Sequence, residues 1–131
     1  MESREKYFFA PQLYIKSGTK DVSFYTKAFG AVLEHSWNND DGSIHAAELS
    51  IQGTLFHLHE QTERLNLYSP EDCDRLSTVI GLFVPDVDAV MNAAINAGAT
   101  LLSKAKDYEY GYRQGEFKDP FGHIWQIEKK I

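Results

Sequence analysis

In QLYIKSG (12–18), apolar Leu13 and Ile15 alternate with Gln12, Tyr14 and Lys16, the period of a half-buried strand. From Thr19 the period lengthens. Val22, Tyr25, Ala28 and Phe29 fall on one side of a helix that stops at Gly30. Three more strands are expected at about 31–37, 43–51 and 54–60, separated by the glycine-containing turns NNDDG and QG. The first half therefore reads βαβββ.

A polar linker over 61–77 follows, with one short helical turn expected in SPEDCDRL. The same order of elements then returns. TVIGLFV (78–84) is a nearly continuous apolar strand, and Asp86 caps a helix that carries Val87, Val90, Met91, Ala94 and Ile95 and ends at Gly98. ATLLS, YRQGEFK, the turn DPFG and HIWQIEK complete a second βαβββ unit. FGAVL at 29–33 matches AGATLL at 97–102, and IQGTLFHL at 51–58 matches PFGHIWQI at 120–127, both at an offset near 68 residues. The expected fold is α+β, a single domain over 1–131 whose units (10–60 and 78–131) build a curved, cup-like mixed sheet. One helix covers one face of a four-stranded sheet, so the other face is left to line a cleft for a small ligand.

Composition narrows the partners. With 131 residues, 43% hydrophobic and 24% charged, the chain is an ordinary globular domain. Lys plus Arg give 13 and Asp plus Glu give 19, so 13 − 19 = −6, and no basic patch is dense enough to follow nucleic acid. No apolar run approaches the roughly 20 residues of a bilayer span, and the charged opening is not a secretory signal. Cys73 is alone, which excludes an intrachain disulfide and a cysteine-based zinc site; a cytoplasmic address is expected. Its acidic neighbours, PEDCDR, argue against a reactive thiolate. Ser36, Ser43 and Ser50 lack a nucleophile elbow, Asp40 and Asp41 read as turn-formers, and Gly111, Gly115 and Gly122 form no phosphate loop.

QLYIKSG, DVSFYTKAFGA and YGYRQGEFKDPFGHIWQIE together resemble the vicinal oxygen chelate superfamily of glyoxalase I, bleomycin-resistance proteins and extradiol dioxygenases. FYTKAFGA and DPFGHIW are most similar to its PhnB-like group. The resemblance implies a homodimer and, where the shared chemistry is present, a divalent metal that stabilises an enolate or related oxyanion. Its ligands would come from the first and last strands of each unit: Gln12, His57, Val79 and Gln126. Val79 coordinates nothing, and two amides with one imidazole bring no negative charge to a divalent ion. A second set uses strand alternation: His57 and His59 share a face, as do Gln126 and Glu128, giving two histidines and a carboxylate. Solvated strand ends are the preferred reading of His59, Glu60 and Glu128, because charged strand ends are normally exposed.

His123 is expected to pack or cap structurally, and His35 and His45 to be partly exposed without acidic partners. Alternation points Phe56 and Trp125 toward the helices, and Tyr14, Leu55, Phe83 and Ile124 toward the cup. Tyr108, Tyr110 and Tyr112 crowd a loop that can stack on a planar ligand. Arg113 either anchors a carboxylate or phosphonate or pairs with Glu109 or Glu116. The expected ligand-binding set is thus Gln12, Tyr14, Leu55, His57, Phe83, Tyr110, Arg113 and Gln126. The leading expectation is a glyoxalase-like protein that binds a small organic molecule without assuming a metal. The alternatives are a metal-dependent lyase, isomerase or dioxygenase of the same superfamily, and a purely structural or partner-binding module.

Overall fold

Alternation decides which side of each strand is buried. In β1 (Gln12–Ile15), Leu13 and Ile15 are buried while Gln12 is exposed and Tyr14 half-buried. A computed structural model describes residues 6–131 and continues with α1 (Phe24–Phe29), β2 (Val32–Asn38), β3 (Ile44–Ile51) and β4 (Thr54–Glu60). The second unit repeats the order with β5 (Val79–Phe83), α2 (Val87–Asn96), β6 (Thr100–Tyr108), β7 (Tyr112–Lys118) and β8 (Ile124–Lys130). Two tandem βαβββ units are therefore present, one sheet ordered β1-β4-β3-β2 and the other β5-β8-β7-β6. In each, the first strand pairs parallel with the last and the remaining pairs are antiparallel.

The first helix is shorter than its periodicity suggests. Residues 19–22 are irregular and Ser23 is a turn; there Asp21 Oδ1 accepts from Ser23 N at 2.9 Å, satisfying locally an amide that a longer helix would bond internally. That interaction also holds the Asp21 carboxyl below the usual carboxylate range, the Ser23 side-chain contact contributing most. At α2 the expected cap is present, with Asp86 Oδ1 accepting from Ala89 N at 3.0 Å. The linker holds two 3₁₀ turns, Arg64–Asn66 and Pro70–Asp72; Ser69 caps the second and its hydroxyl donates to Phe121 O at 3.2 Å.

The helix-facing sides of both sheets share one core around α1. Tyr25, fully buried, packs on Phe56 of β4 and on Phe121 and Trp125 of the second unit, while Phe24 and Phe29 meet Phe117. Phe56 and Trp125 face the helices, as their alternation requires. The DPFG turn is held by Asp119, 3% exposed, which accepts from Tyr25 Oη (2.6 Å), Trp125 Nε1 (2.9 Å), Phe121 N (2.9 Å) and His123 N (3.0 Å). Gly122 follows at φ +94°, and a side chain there would meet Pro70 and the Glu71 amide at 3.0–3.1 Å, so glycine lets linker and turn close together. His123 Nε2 lies 2.8 Å from Tyr14 O, a hydrogen bond between the two units. The core therefore fixes how the sheets sit and leaves each with one face turned away from it.

Candidate functional site

Register places the candidate residues in rows. On the first sheet's open face Gln12 is opposite His57, which is opposite Glu48, and Tyr14 is opposite His59. Gln12 Nε2 donates to Tyr14 Oη at 2.8 Å, the Tyr14 and His59 rings lie 5.4 Å apart, and His57 Nε2 is 3.5 Å from Glu48 Oε2. Leu55 is half-buried on β4, opposite Ser50. At the end of this sheet Glu60 is engaged rather than simply solvated, its Oε2 lying 2.7 Å from His45 Nδ1. His45 therefore has the acidic partner that its sequence surroundings do not reveal. His59 is also half-buried, with Nδ1 2.6 Å from Glu60 O.

The second sheet repeats these rows. Gly81 is opposite Gln126, which is opposite Glu116, and Phe83 is opposite Glu128, which is opposite Gln114. The first-strand position that corresponds to Gln12 is therefore Gly81, not Val79, which pairs with Ile124. Glu48 and Glu116 are likewise equivalent, each facing a last-strand side chain. Sequence reasoning missed both; the signal was a charge in mid-strand on the open-facing alternation.

Glu128 departs from the expected solvated strand end: it is 6% exposed. Its Oε1 accepts from Gln114 Nε2 at 2.8 Å and from Gln126 Nε2 at 3.2 Å. Its Oε2 occupies the space that a side chain at Gly81 would need, 2.7 Å from where a Cβ would sit. A glycine inside an otherwise apolar strand is a sign of such close approach. Tyr110 donates to Gln114 Oε1, so the Gln114 amide is held with its oxygen to the tyrosine and its nitrogen to the carboxylate. The Tyr110 phenol is raised above its ordinary range, chiefly by desolvation and then by the charges of Tyr108, Glu128 and Glu116.

Arg113 does not face this side. It alternates with Tyr112 and Gln114 and turns toward α2, where Nη2 and Nε meet Asp88 at 2.9 and 3.1 Å and Nη1 meets Asp107 at 2.9 Å. Its fork is filled by carboxylates brought near by the tertiary fold, neither of them Glu109 or Glu116, so Arg113 leaves the candidate ligand set. Hydrogen bonding from Arg113 holds the Asp88 carboxyl below the usual range, and the two carboxylates favour the charged guanidinium.

Between the sheets, beneath the linker, lies a cleft of about 330 Å³. Tyr14, Tyr68, Leu76 and Ile124 give it aromatic and aliphatic walls, and Gln12 and Arg75 add polar groups. Its size and mixed lining suit a small organic molecule.

A family profile for the glyoxalase/bleomycin resistance protein/dioxygenase superfamily matches residues 10–127. The chain belongs to that superfamily. An uncharacterized protein of Mycobacterium bovis is 32% identical over 125 residues, 93% of this chain and 82% of its own length. The crystal structure of TioX from Micromonospora sp. ML1 superposes with a TM-score of 0.69 at 22% identity, covering 95% of this chain and 100% of that one. FosX from Listeria monocytogenes, complexed with Mn(II) and sulfate, gives 0.71 at 16% identity over 97% of this chain and 92% of that one. At these identities the structural likeness establishes the fold.

The divalent metal of the superfamily finds a poor set of donors here. The four corresponding positions hold Gln12, His57, Gly81 and Gln126, and the last turns its amide nitrogen toward Glu128. Two amides, one imidazole and a position without a side chain leave the ion uncompensated in charge. Among the described residues no three His, Cys, Asp or Glu side chains converge to share a metal.

Proposed function

We propose that the chain is a small-molecule-binding member of this superfamily, taking an organic ligand into the cleft at the junction of its two sheets without a metal. The observation that carries this is the cleft itself, with Tyr14 and Ile124 as walls and Gln12 as a polar group. Of the other expected ligand-binding residues, His57, opposite Gln12, and Leu55 lie on the first sheet, and Gln126, Phe83 and Tyr110 belong to the second unit, outside the lining of this cleft. The whole chain acts as one glyoxalase-like domain.

Two experiments test this. Thermal-shift and calorimetric titration across a panel of metabolites and drugs is expected to yield at least one saturable ligand; a panel with no binder removes the proposal. Elemental analysis of untagged protein prepared without chelator is expected to find no stoichiometric first-row metal. One metal per site that disappears in His57→Ala establishes the alternative, a metal-dependent lyase, isomerase or dioxygenase. That reading would draw on Gln12 and His57 with Gln126 or Glu128.

The same proposal places the protein in the PhnB-like group, on FYTKAFGA and DPFGHIW, and in the cytoplasm, where a single exposed cysteine fits a reducing medium. It also makes the working form a homodimer. Val32 and Leu33 on β2 and Leu101 and Leu102 on β6 are exposed at matched places after each helix, on the edge strands of the two sheets. Exposed apolar edges are what association covers. Sedimentation is expected to give twice the 14.9 kDa chain mass, and Leu33→Asp with Leu102→Asp to return the monomer. A monomeric wild type refutes the dimer.

A further inference from the structure

The open face of the second sheet holds an arrangement that the seam cleft does not use. Glu128 lies on β8 between β5 and β7, and Phe83 on β5 and Tyr112 on β7 approach each other to 6.0 Å between ring centroids, edge to face. Tyr110 and Tyr108 continue the aromatic row from Tyr112, at centroid separations of 5.7 and 5.3 Å. Phe83 is 56% exposed although it belongs to this row.

The carboxylate is only half satisfied. Glu128 Oε1 takes both amide donors, from Gln114 and Gln126. Oε2 accepts no hydrogen bond among the described residues, yet it is not sealed from solvent. A 6%-exposed carboxylate with one oxygen unpaired and not sealed from solvent is costly in the free protein, and a group that both donates to it and brings positive charge offsets that cost best. Aromatic faces beside a carboxylate attract the same kind of group through their quadrupoles. The far end of the row already shows it: the Lys106 ammonium stands 4.8 Å over the Tyr108 ring. The other charges on this face are Glu116, beside Gln126, Lys118, exposed at one end, and Lys130, exposed and opposite Tyr112 in register.

The geometry points to an organic cation, a quaternary ammonium or protonated amine, bound against Phe83 and Tyr112 with Glu128 as its counter-ion. This deepens the small-molecule reading and rests on it. Ile124 of the seam cleft and Glu128 are four residues apart on one strand, about 13 Å, so the cation would be one end of a ligand reaching along β8 or a separate small molecule. Gly81 is part of the device, since any side chain there would displace the carboxylate.

Choline and its uncharged carbon isostere 3,3-dimethylbutan-1-ol are the probes, titrated into the full chain and followed by backbone amide NMR shifts. Choline is expected to shift Phe83, Tyr112, Gln114 and Glu128 saturably, and the alcohol to bind at least about tenfold more weakly. Glu128→Gln is expected to weaken choline by about tenfold or more. Gly81→Ala, whose backbone conformation accepts alanine and whose clash is with the end of a side chain, is expected to do the same while still unfolding cooperatively. It serves as the test should Glu128→Gln fail to fold. No saturable choline binding, equal binding of the alcohol, or wild-type affinity in a folded variant of either kind overturns the assignment. Panel ligands that perturb only the seam cleft would leave the wider function standing while this inference falls. Choline binding without any cleft ligand would do the reverse.

Discussion

Asp119→Ala is expected to lower the unfolding free energy by more than about 3 kcal/mol in urea titrations. The carboxylate accepts four hydrogen bonds from buried or half-buried groups, two of them the Tyr25 hydroxyl and the Trp125 indole at the centre of the shared core. Truncation strands all four donors. Each orphaned buried donor costs about 1–3 kcal/mol, with partial relief where water can enter. Asp119→Asn is expected to cost less, because Oδ1 can still take the two backbone amides while the new amide group faces the indole N–H, donor against donor. An Asp119→Ala loss under 1 kcal/mol would show that the turn, and not the carboxylate, organises the junction.

Tyr25 carries the same network into alkaline solution. Burial first, then the charge and hydrogen bond of Asp119, push its phenol well above the ordinary range. The native pKa is raised, so this stabilisation is intact below the ordinary phenol value of about 10 and is lost as pH climbs through the native one. Tyr25→Phe, which keeps the ring and drops the hydroxyl, is expected to lose about 1.5–3 kcal/mol at neutral pH and to lack this tyrosine's share of the alkaline decline. An identical alkaline limb in wild type and variant would assign the decline to other groups.

The fold was legible because it is written in local periods. The strand alternations, the longer period of each helix and the repeat near 68 residues all depend on neighbours in the chain, and most observed strand limits lie within a residue or two of those periods. β1 stops at Ile15, short of Gly18, and β6 runs past ATLLS to Tyr108, so Tyr108 and Tyr112 lie on strands and only Tyr110 is in the loop between them. The candidate site was legible only in part: the family resemblance named Gln12 and His57, and alternation put His57 and His59 on one face, while their register against Gln12 and Tyr14 came from the fold. What escaped depends on pairing across strands. Register, not sequence offset, puts Gly81 rather than Val79 opposite Gln126. Contact between α2 and β7 gives Arg113 to Asp88, 25 residues away. Glu128 is buried because a glycine on another strand makes room for it, which no pattern within HIWQIEK can express.

Tyr14→Ala is expected to weaken any ligand of the seam cleft by about 10- to 100-fold while changing stability much less than Asp119→Ala. The side chain is half-buried and reaches the cleft wall, whereas its link to the second unit runs through the backbone carbonyl that meets His123 and survives substitution. The ring orders its surroundings in two ways. Its hydroxyl accepts from Gln12 Nε2, fixing that amide, and its face lies against His59. Tyr14→Phe separates these effects. Stacking on the ligand predicts near wild-type affinity with phenylalanine, since the apolar area is kept. Anchoring through an ordered Gln12 predicts that phenylalanine loses most of what alanine loses, because the freed amide must pay its ordering entropy on binding. Isothermal titration with the best panel ligand reads both variants, and full affinity in Tyr14→Ala would move the binding site out of the cleft altogether.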